Sequence, residues 1–135
     1  YIIGMMNTAD RSLALIDYAL RRRFSFFPMT PGFDTTGFES YRKSIASPYL
    51  EKLVTAVNEV NDDILKDDSL GKGFLIGHSY LIQPSYGDDR DESLFDHDMT
   101  ESIIEFDLIP LIEEYWFDNE SRLNEAKAKL REVLK

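Results

Sequence analysis

The sequence predicts an α/β fragment that is mostly α, with a small strand–helix–strand corner followed by a helical subdomain of about ninety residues. Three observations lead there. Two short apolar runs, residues 1–6 (YIIGMM) and 24–27 (FSFF), flank one amphipathic helical pattern within the first thirty residues. A loop dense in Pro, Gly and Thr, residues 28–37 (PMTPGFDTTG), then closes this corner. Beyond it the apolar residues recur almost entirely at helical spacing.

Residues 1–6 read as a buried strand that delivers a polar cluster of Asn7, Thr8, Asp10, Arg11 and Ser12. Asp10 or Ser12 can cap a helix whose Leu13, Ile16, Leu20 and Phe24 share one face. That helix ends in Arg21, Arg22 and Arg23, and residues 24–27 form a second strand cut off by Pro28. Residues 38–46 make a short helix, and Pro48 starts a long one, since Pro is tolerated in a first turn. Leu50, Leu53, Val54, Val57 and Ile64 give the long helix its apolar stripe. Residues 71–82, with three glycines, suggest an extended segment, and residues 86–98 an acidic, mobile surface loop. Thr100 is expected to cap the next helix, which Pro110 must kink or restart. Asn119 caps a last helix whose Leu123, Ala126, Leu130 and Leu134 face inward.

Composition narrows the function classes. The 135 residues suit one domain, and 43% apolar with 30% charged residues describe a globular chain. No apolar run approaches the ~20 residues that span a bilayer, and residues 1–6 lack the basic flank of a secretory leader. With no cysteine, disulfides and Cys-based zinc sites are excluded; an intracellular, cytoplasmic setting is expected, without a membrane partner. His78 and His97 are too far apart in sequence for a helical His pair, so no metal site is expected. Residues 1–48 carry net +2 and residues 49–135 net −12, which makes the larger part a poor surface for nucleic acid. The chain begins inside a strand pattern without an initiator Met and is expected to be part of something longer.

The polar residues are informative in combination. Asn7 at a strand end can cap the following helix, or its amide can orient a water that attacks a γ-phosphate. Asp10 complements the helix dipole at that start, whereas Arg11 opposes it, which hints at a task elsewhere. Arg21, Arg22 and Arg23 at a helix end satisfy the dipole, and a guanidinium there can also reach a neighbour's phosphates. His78, Ser79 and Tyr80 form a compact polar group after Gly77, either a satisfied histidine or a contact to nucleotide or to a neighbouring subdomain. Glu113 and Glu114 follow an apolar run, but Pro110 and the spacing of Tyr115 and Trp116 make them an exposed helix face. The nucleotide-gripping motif GxxxxGK[ST] is missing: around Gly71, Lys72 and Gly73, Lys66 stands where its first Gly belongs and Gly73 where its Ser/Thr belongs.

Residues 6–12 (MNTADRS) and 17–24 (DYALRRRF) together resemble the AAA+ GTPase module of McrB-type proteins, the motor subunits of modification-dependent restriction systems. Residues 76–80 (IGHSY) and 109–115 (IPLIEEY) resemble lid motifs of the same family. The resemblance implies that residues 1–37 are the C-terminal piece of a P-loop AAA+ core and residues 38–135 a helical lid. It further implies that Asn7 is the sensor-1 residue, that Asp10 and Arg11 help place the hydrolytic water at the subunit edge, and that Arg22 and Arg23 form an arginine finger. His78, Ser79 and Tyr80 would lie near the nucleotide. The implied ligands are GTP or ATP with Mg2+ in the longer protein and none on this segment by itself, which lacks the P-loop and its acidic partner strand. The implied partners are neighbouring protomers of a ring and a nuclease subunit, with DNA reached only through domains outside this sequence. The rival from another class is a non-enzymatic helical interaction module whose arginines form a docking patch.

Overall fold

Thr35 begins the helical part by closing two bonds at once: its hydroxyl donates to the Gly32 carbonyl at 2.7 Å and accepts the Phe38 N–H at 3.3 Å. It thereby caps α1, Thr36–Ile45, which buries Phe38 and Ile45. In a computed structural model of the protein, the residues described are 1–5, 22–82 and 95–135. Helix α1 stops at Ala46, whose left-handed backbone (φ 50°) returns its N–H to the Arg42 carbonyl and turns the chain sharply.

Ser47 caps the long helix α2, Pro48–Leu65, with Pro48 in the first turn where no N–H is needed. The stripe read from sequence is buried, and Val60 and Asn61 extend it. The expected extended segment over residues 71–82 is instead two 3-10 turns, Lys72–Phe74 and His78–Leu81, separated by the short extended stretch of residues 75–77. Gly71, at φ 100°, makes the turn into the first of them, a conformation that disfavours a side chain.

Helix α3, His97–Ser102, is capped by Asp96, whose carboxylate accepts the Met99 N–H at 2.9 Å. The cap expected at Thr100 is therefore one turn too late. Thr100 is buried inside the helix and its hydroxyl donates to the Asp96 carbonyl. The chain then widens into a π-helical stretch, Ile103–Leu108, and returns to α-geometry in α4, Ile109–Tyr115. Pro110 supplies the reason, because its ring lacks an N–H and crowds the carbonyl four residues back. The widened turn, in which the Ile109 N–H reaches the Ile104 carbonyl, accommodates it without breaking the rod. Asn119 caps α5, Glu120–Glu132, by accepting the Arg122 N–H at 3.2 Å.

These helices share one core. Helix α2 packs against α5 and α3, α4 packs against α5, and both 3-10 turns lie on α2. Leu50, Leu53, Val57, Ile104, Leu108 and Trp116 are among the fully enclosed side chains at its centre. The rim is tied by ion pairs from α5: Lys129 to Asp63, Lys127 to Glu113 at 2.5 Å, and Arg131 to both oxygens of Glu105 at 2.6 and 2.8 Å.

Ahead of this core the two strands expected over residues 1–6 and 24–27 are not seen. Residues 1–5 and 25–31 carry no regular structure, and the described residues contain no strand. A strand exists only through hydrogen bonds to a neighbour, and nothing among the described residues offers an edge to pair with. Tyr1, Ile2, Ile3, Met5, Phe27 and Met29 stand exposed, apolar side chains without a sheet to cover them. The described fold is thus mostly helical. The expected helix between the strands lies in residues 6–21, outside the described residues, as do residues 86–94 of the acidic loop expected over 86–98. The described end of that stretch is no loop, since Phe95 is buried and Asp96 caps the helix that starts at His97.

Candidate functional site

The sequence singles out three groups of side chains. Asn7, Asp10 and Arg11 lie outside the described residues. Arg22 and Arg23 sit in a turn ahead of residues 25–31, and both are exposed. Neither pairs with a carboxylate among the described residues, whereas Arg42, Arg122 and Arg131 each hold one. His78, Ser79 and Tyr80 open the second 3-10 turn, with Ser79 and Tyr80 exposed and His78 half-buried. No hydrogen bond or ion pair joins this group to Arg22 or Arg23 among the described residues.

His78 is the member the structure defines. Its ring lies edge-on to Phe33 and Phe38, with centroids 6.1 and 5.4 Å away. Its Nδ1 accepts the Gly32 N–H at 2.9 Å, across 46 residues of sequence. An acceptor at Nδ1 leaves the ring proton of the neutral imidazole on Nε2, so a ligand could meet His78 only as a donor through that atom. Gly32 permits the approach, since a Cβ there would stand 2.9 Å from His78 Cε1 and 3.3 Å from Nδ1. Because Thr35 holds the Gly32 carbonyl and His78 its N–H, Gly32 is the first of the described residues entering the helical part that is fixed on both sides. Tyr80 also acts on its surroundings. Burial, with Tyr80 and Glu114 nearby, pushes the Tyr115 hydroxyl up to about 12, so it remains a neutral phenol.

Two polar anchors escaped the sequence reading. Asn61, buried on the core side of α2, donates its amide to the Ile76 carbonyl at 3.0 Å and accepts the Ile76 N–H at 2.7 Å. It holds the extended stretch that leads directly into Gly77 and His78. A polar residue on an otherwise apolar stripe was the available signal. Asp67, just after α2, accepts from Ser69 Oγ and N, from Trp116 Nε1 at 2.9 Å, and pairs with Arg122 at 3.2 Å. These donors, the Ser69 hydroxyl first, hold its carboxyl well below the usual range, at about 2. The Asp-x-Ser spacing marks the local turn, but nothing local marks Trp116.

Other polar clusters assign no ligand. Gly71, Lys72 and Gly73 enter a three-residue 3-10 turn and have no helix N-terminus to present phosphate-binding N–H groups. His97, Asp98 and Glu101 each hold one ligand atom within 4.8 Å of the others on α3, where the His97 ring faces Asp98 at 3.3 Å. Glu113 and Glu114 are exposed on α4, as the helical spacing implied, and Glu113 is paired with Lys127.

The helical part also carries a recognisable family signature. Residues 52–124, more than half of the chain, match the family described as McrB, alpha-helical lid domain. The chain belongs to this family. The match runs from the first turns of α2 into α5 and includes both 3-10 turns, the π-helical stretch and Trp116. The chain is also 48% identical over 122 residues to the type IV methyl-directed restriction enzyme EcoKMcrB subunit of Escherichia coli K12. That alignment covers 88% of this chain but 26% of the relative, so the chain spans about a quarter of that McrB protein's length. In this McrB lid, Asn61, His78 and Asp67 all lie within the matched residues, whereas Gly32, Arg22 and Arg23 precede them.

Proposed function

We propose that this chain is the sensor-1, arginine-finger and lid portion of an McrB-like AAA+ nucleoside triphosphatase, one that prefers GTP and powers a modification-dependent DNA restriction complex. One observation carries the reading: a lid of the McrB family is preceded, on the same chain, by the motifs MNTADRS and ALRRRF. Residues 1–37 would complete an α/β core whose remaining strands belong to a longer polypeptide, and residues 38–135 would be the lid. The exposed apolar side chains of residues 1–5 and 24–29 suit burial in such a sheet.

Asn7 would orient the attacking water, with Asp10 and Arg11 beside it at the subunit edge. Arg22 and Arg23, exposed and without a described carboxylate partner, would reach the phosphates of a neighbouring protomer in a ring, stabilising charge as it develops. The exposed Ser79 and Tyr80 would lie on the nucleotide side, next to His78. The grip on the triphosphate and Mg2+ would come from a P-loop and acidic strand outside these residues, so this segment by itself supplies no hydrolysis. A nuclease subunit would be a further partner, DNA would be bound by other domains, and the setting would be cytoplasmic. No helix among the described residues is long and apolar enough to cross a membrane.

The test uses the longer protein. Arg23→Ala is expected to lower GTP turnover by about 10³-fold or more, the range of a lost arginine finger, while nucleotide binding stays within about twofold. Lost binding with unchanged turnover per bound nucleotide would refute a finger role.

A further inference from the structure

We propose that His78 is a positioning residue. It clamps the point where the chain enters the lid, and so fixes where the joint between the lid and the preceding segment that bears Arg22 and Arg23 begins. The inference builds on the function proposed above, because it assigns this clamp to nucleotide turnover.

The geometry points to a joint with one rigid side. Residues 22–30 are exposed and make no hydrogen bond to the helical part among the described residues. At Gly32 this changes within a single residue. Its carbonyl is held by the Thr35 hydroxyl and backbone, and its N–H by His78. The ring of His78 is in turn fixed between Phe33 and Phe38, so the acceptor cannot swing away without unpacking the start of α1. On its other side His78 follows the stretch that Asn61 pins to α2. A continuous path of bonds therefore runs from the long helix of the lid, through Ile76 and His78, to the first fixed residue of the incoming chain. Rotation between lid and preceding segment is confined upstream of Gly32.

The clamp has a steric signature that a ligand-binding histidine would not have. A Cβ at residue 32 would collide with His78 Cε1 at 2.9 Å, an atom that asparagine lacks, and would press on the Thr35 methyl at 3.2 Å, which has only to give by a few tenths of an ångström. The asparagine Oδ1, by contrast, can take the place of Nδ1 as acceptor. Gly32→Ala should therefore open the joint in the natural background and be tolerated alongside His78→Asn.

The experiment has two readouts. In the 135-residue chain, amide hydrogen exchange at Gly32 is expected to be protected, to lose protection in His78→Leu and Gly32→Ala, and to regain it in His78→Asn and in the double variant. In the longer protein, GTP turnover is expected to fall roughly 10- to 100-fold in His78→Leu and Gly32→Ala, the scale of a misplaced catalytic geometry. KM should be little changed, and His78→Asn and the double variant should recover most of kcat. A Gly32 amide that is unprotected, or indifferent to His78→Leu, overturns the clamp. Turnover lost in His78→Asn despite a protected Gly32 also overturns it, because His78 would then act on nucleotide through Nε2. Wild-type protein that turns over neither GTP nor ATP overturns the proposed function and this role with it, whereas a failure of the clamp alone leaves wild-type turnover and the Arg23→Ala effect intact.

Discussion

Asn61 is the single side chain on which the middle of the lid depends most. Its amide is the only described partner of both the Ile76 N–H and the Ile76 carbonyl, and Ile76 is itself buried. A buried backbone group left without a partner costs about 1–3 kcal/mol. Asn61→Leu should therefore cost about 2–4 kcal/mol despite its greater apolarity, read as a lower midpoint in urea denaturation. Asp67 gives a second test through pH. Its carboxyl is depressed from 3.8 to about 2 in the folded chain, so the charged form is favoured by folding. The stabilisation is present above the unfolded value and fades as pH falls from about 4 toward 2. A shift of this size corresponds to about 2 kcal/mol for a side chain that is 11% exposed. Asp67→Asn should lose about that much at pH 7, with the gap to wild type closing near pH 2 in denaturation followed by circular dichroism. Neither anchor could be read from sequence in full. Each binds a group, Ile76 or Trp116, placed against it by tertiary packing, and composition and period carry no trace of that partner.

Among the elements, helix starts were more legible than helix interiors. Pro48 and Asn119 were located correctly because a cap or a first-turn proline acts through the next three residues, all visible locally. Thr100 misled because it is one turn beyond Asp96, and two capping residues four apart are equivalent in pattern until one of them is buried. The π-helical stretch before Pro110 was foreseen only as a kink or restart, since widening and breaking both relieve a proline. The start of α2 depends on Ser47 for more than a cap. Its hydroxyl accepts the Tyr49 and Leu50 N–H groups and donates to the Phe95 carbonyl at 2.5 Å, tying α2 to the entry of α3. Ser47→Ala is expected to destabilise by about 1–3 kcal/mol, a cap plus a buried carbonyl. A matching substitution at Glu105, whose pair with Arg131 lies at the surface, should cost less than about 1 kcal/mol. Chemical denaturation of the two variants side by side checks the contrast.

The whole chain divides by how its apolar residues are used. From Phe33 onward most of the described apolar residues close one core, with Leu65, Phe106 and Phe117 among the exceptions, while residues 1–5 and 24–29 leave theirs in solvent. The helical part could be read from sequence because a helix makes its own hydrogen bonds and needs neighbours only for its apolar stripe. The strand readings over residues 1–6 and 24–27 used an equally good pattern, but a strand is a statement about neighbours, and their pairing partners are not among the described residues. Removing residues 1–30 should therefore leave the thermal midpoint of the rest within about 3 °C, since those of them that are described, residues 1–5 and 22–30, contribute no side chain to the core and a shift of that size is less than ~1 kcal/mol. The same deletion should reduce concentration-dependent aggregation, measured by light scattering, because most of the large exposed apolar side chains among the described residues lie in it. A midpoint lower by 10 °C or more would mean that these residues support the core after all.

Trp116 is the only tryptophan in the sequence, 1% exposed, with its indole N–H on Asp67 and its ring inside the shared core. The molecule therefore carries one intrinsic fluorophore at the point where the end of α2, the end of α4 and the start of α5 converge. Its emission should be blue-shifted when the lid is closed on itself and move to the red as soon as water enters, without any attached dye. No signal from the uncovered N-terminal segment overlaps it, since that segment contains tyrosine and phenylalanine but no indole. Lid opening can thus be timed optically while the rest of the chain stays dark at the same wavelength.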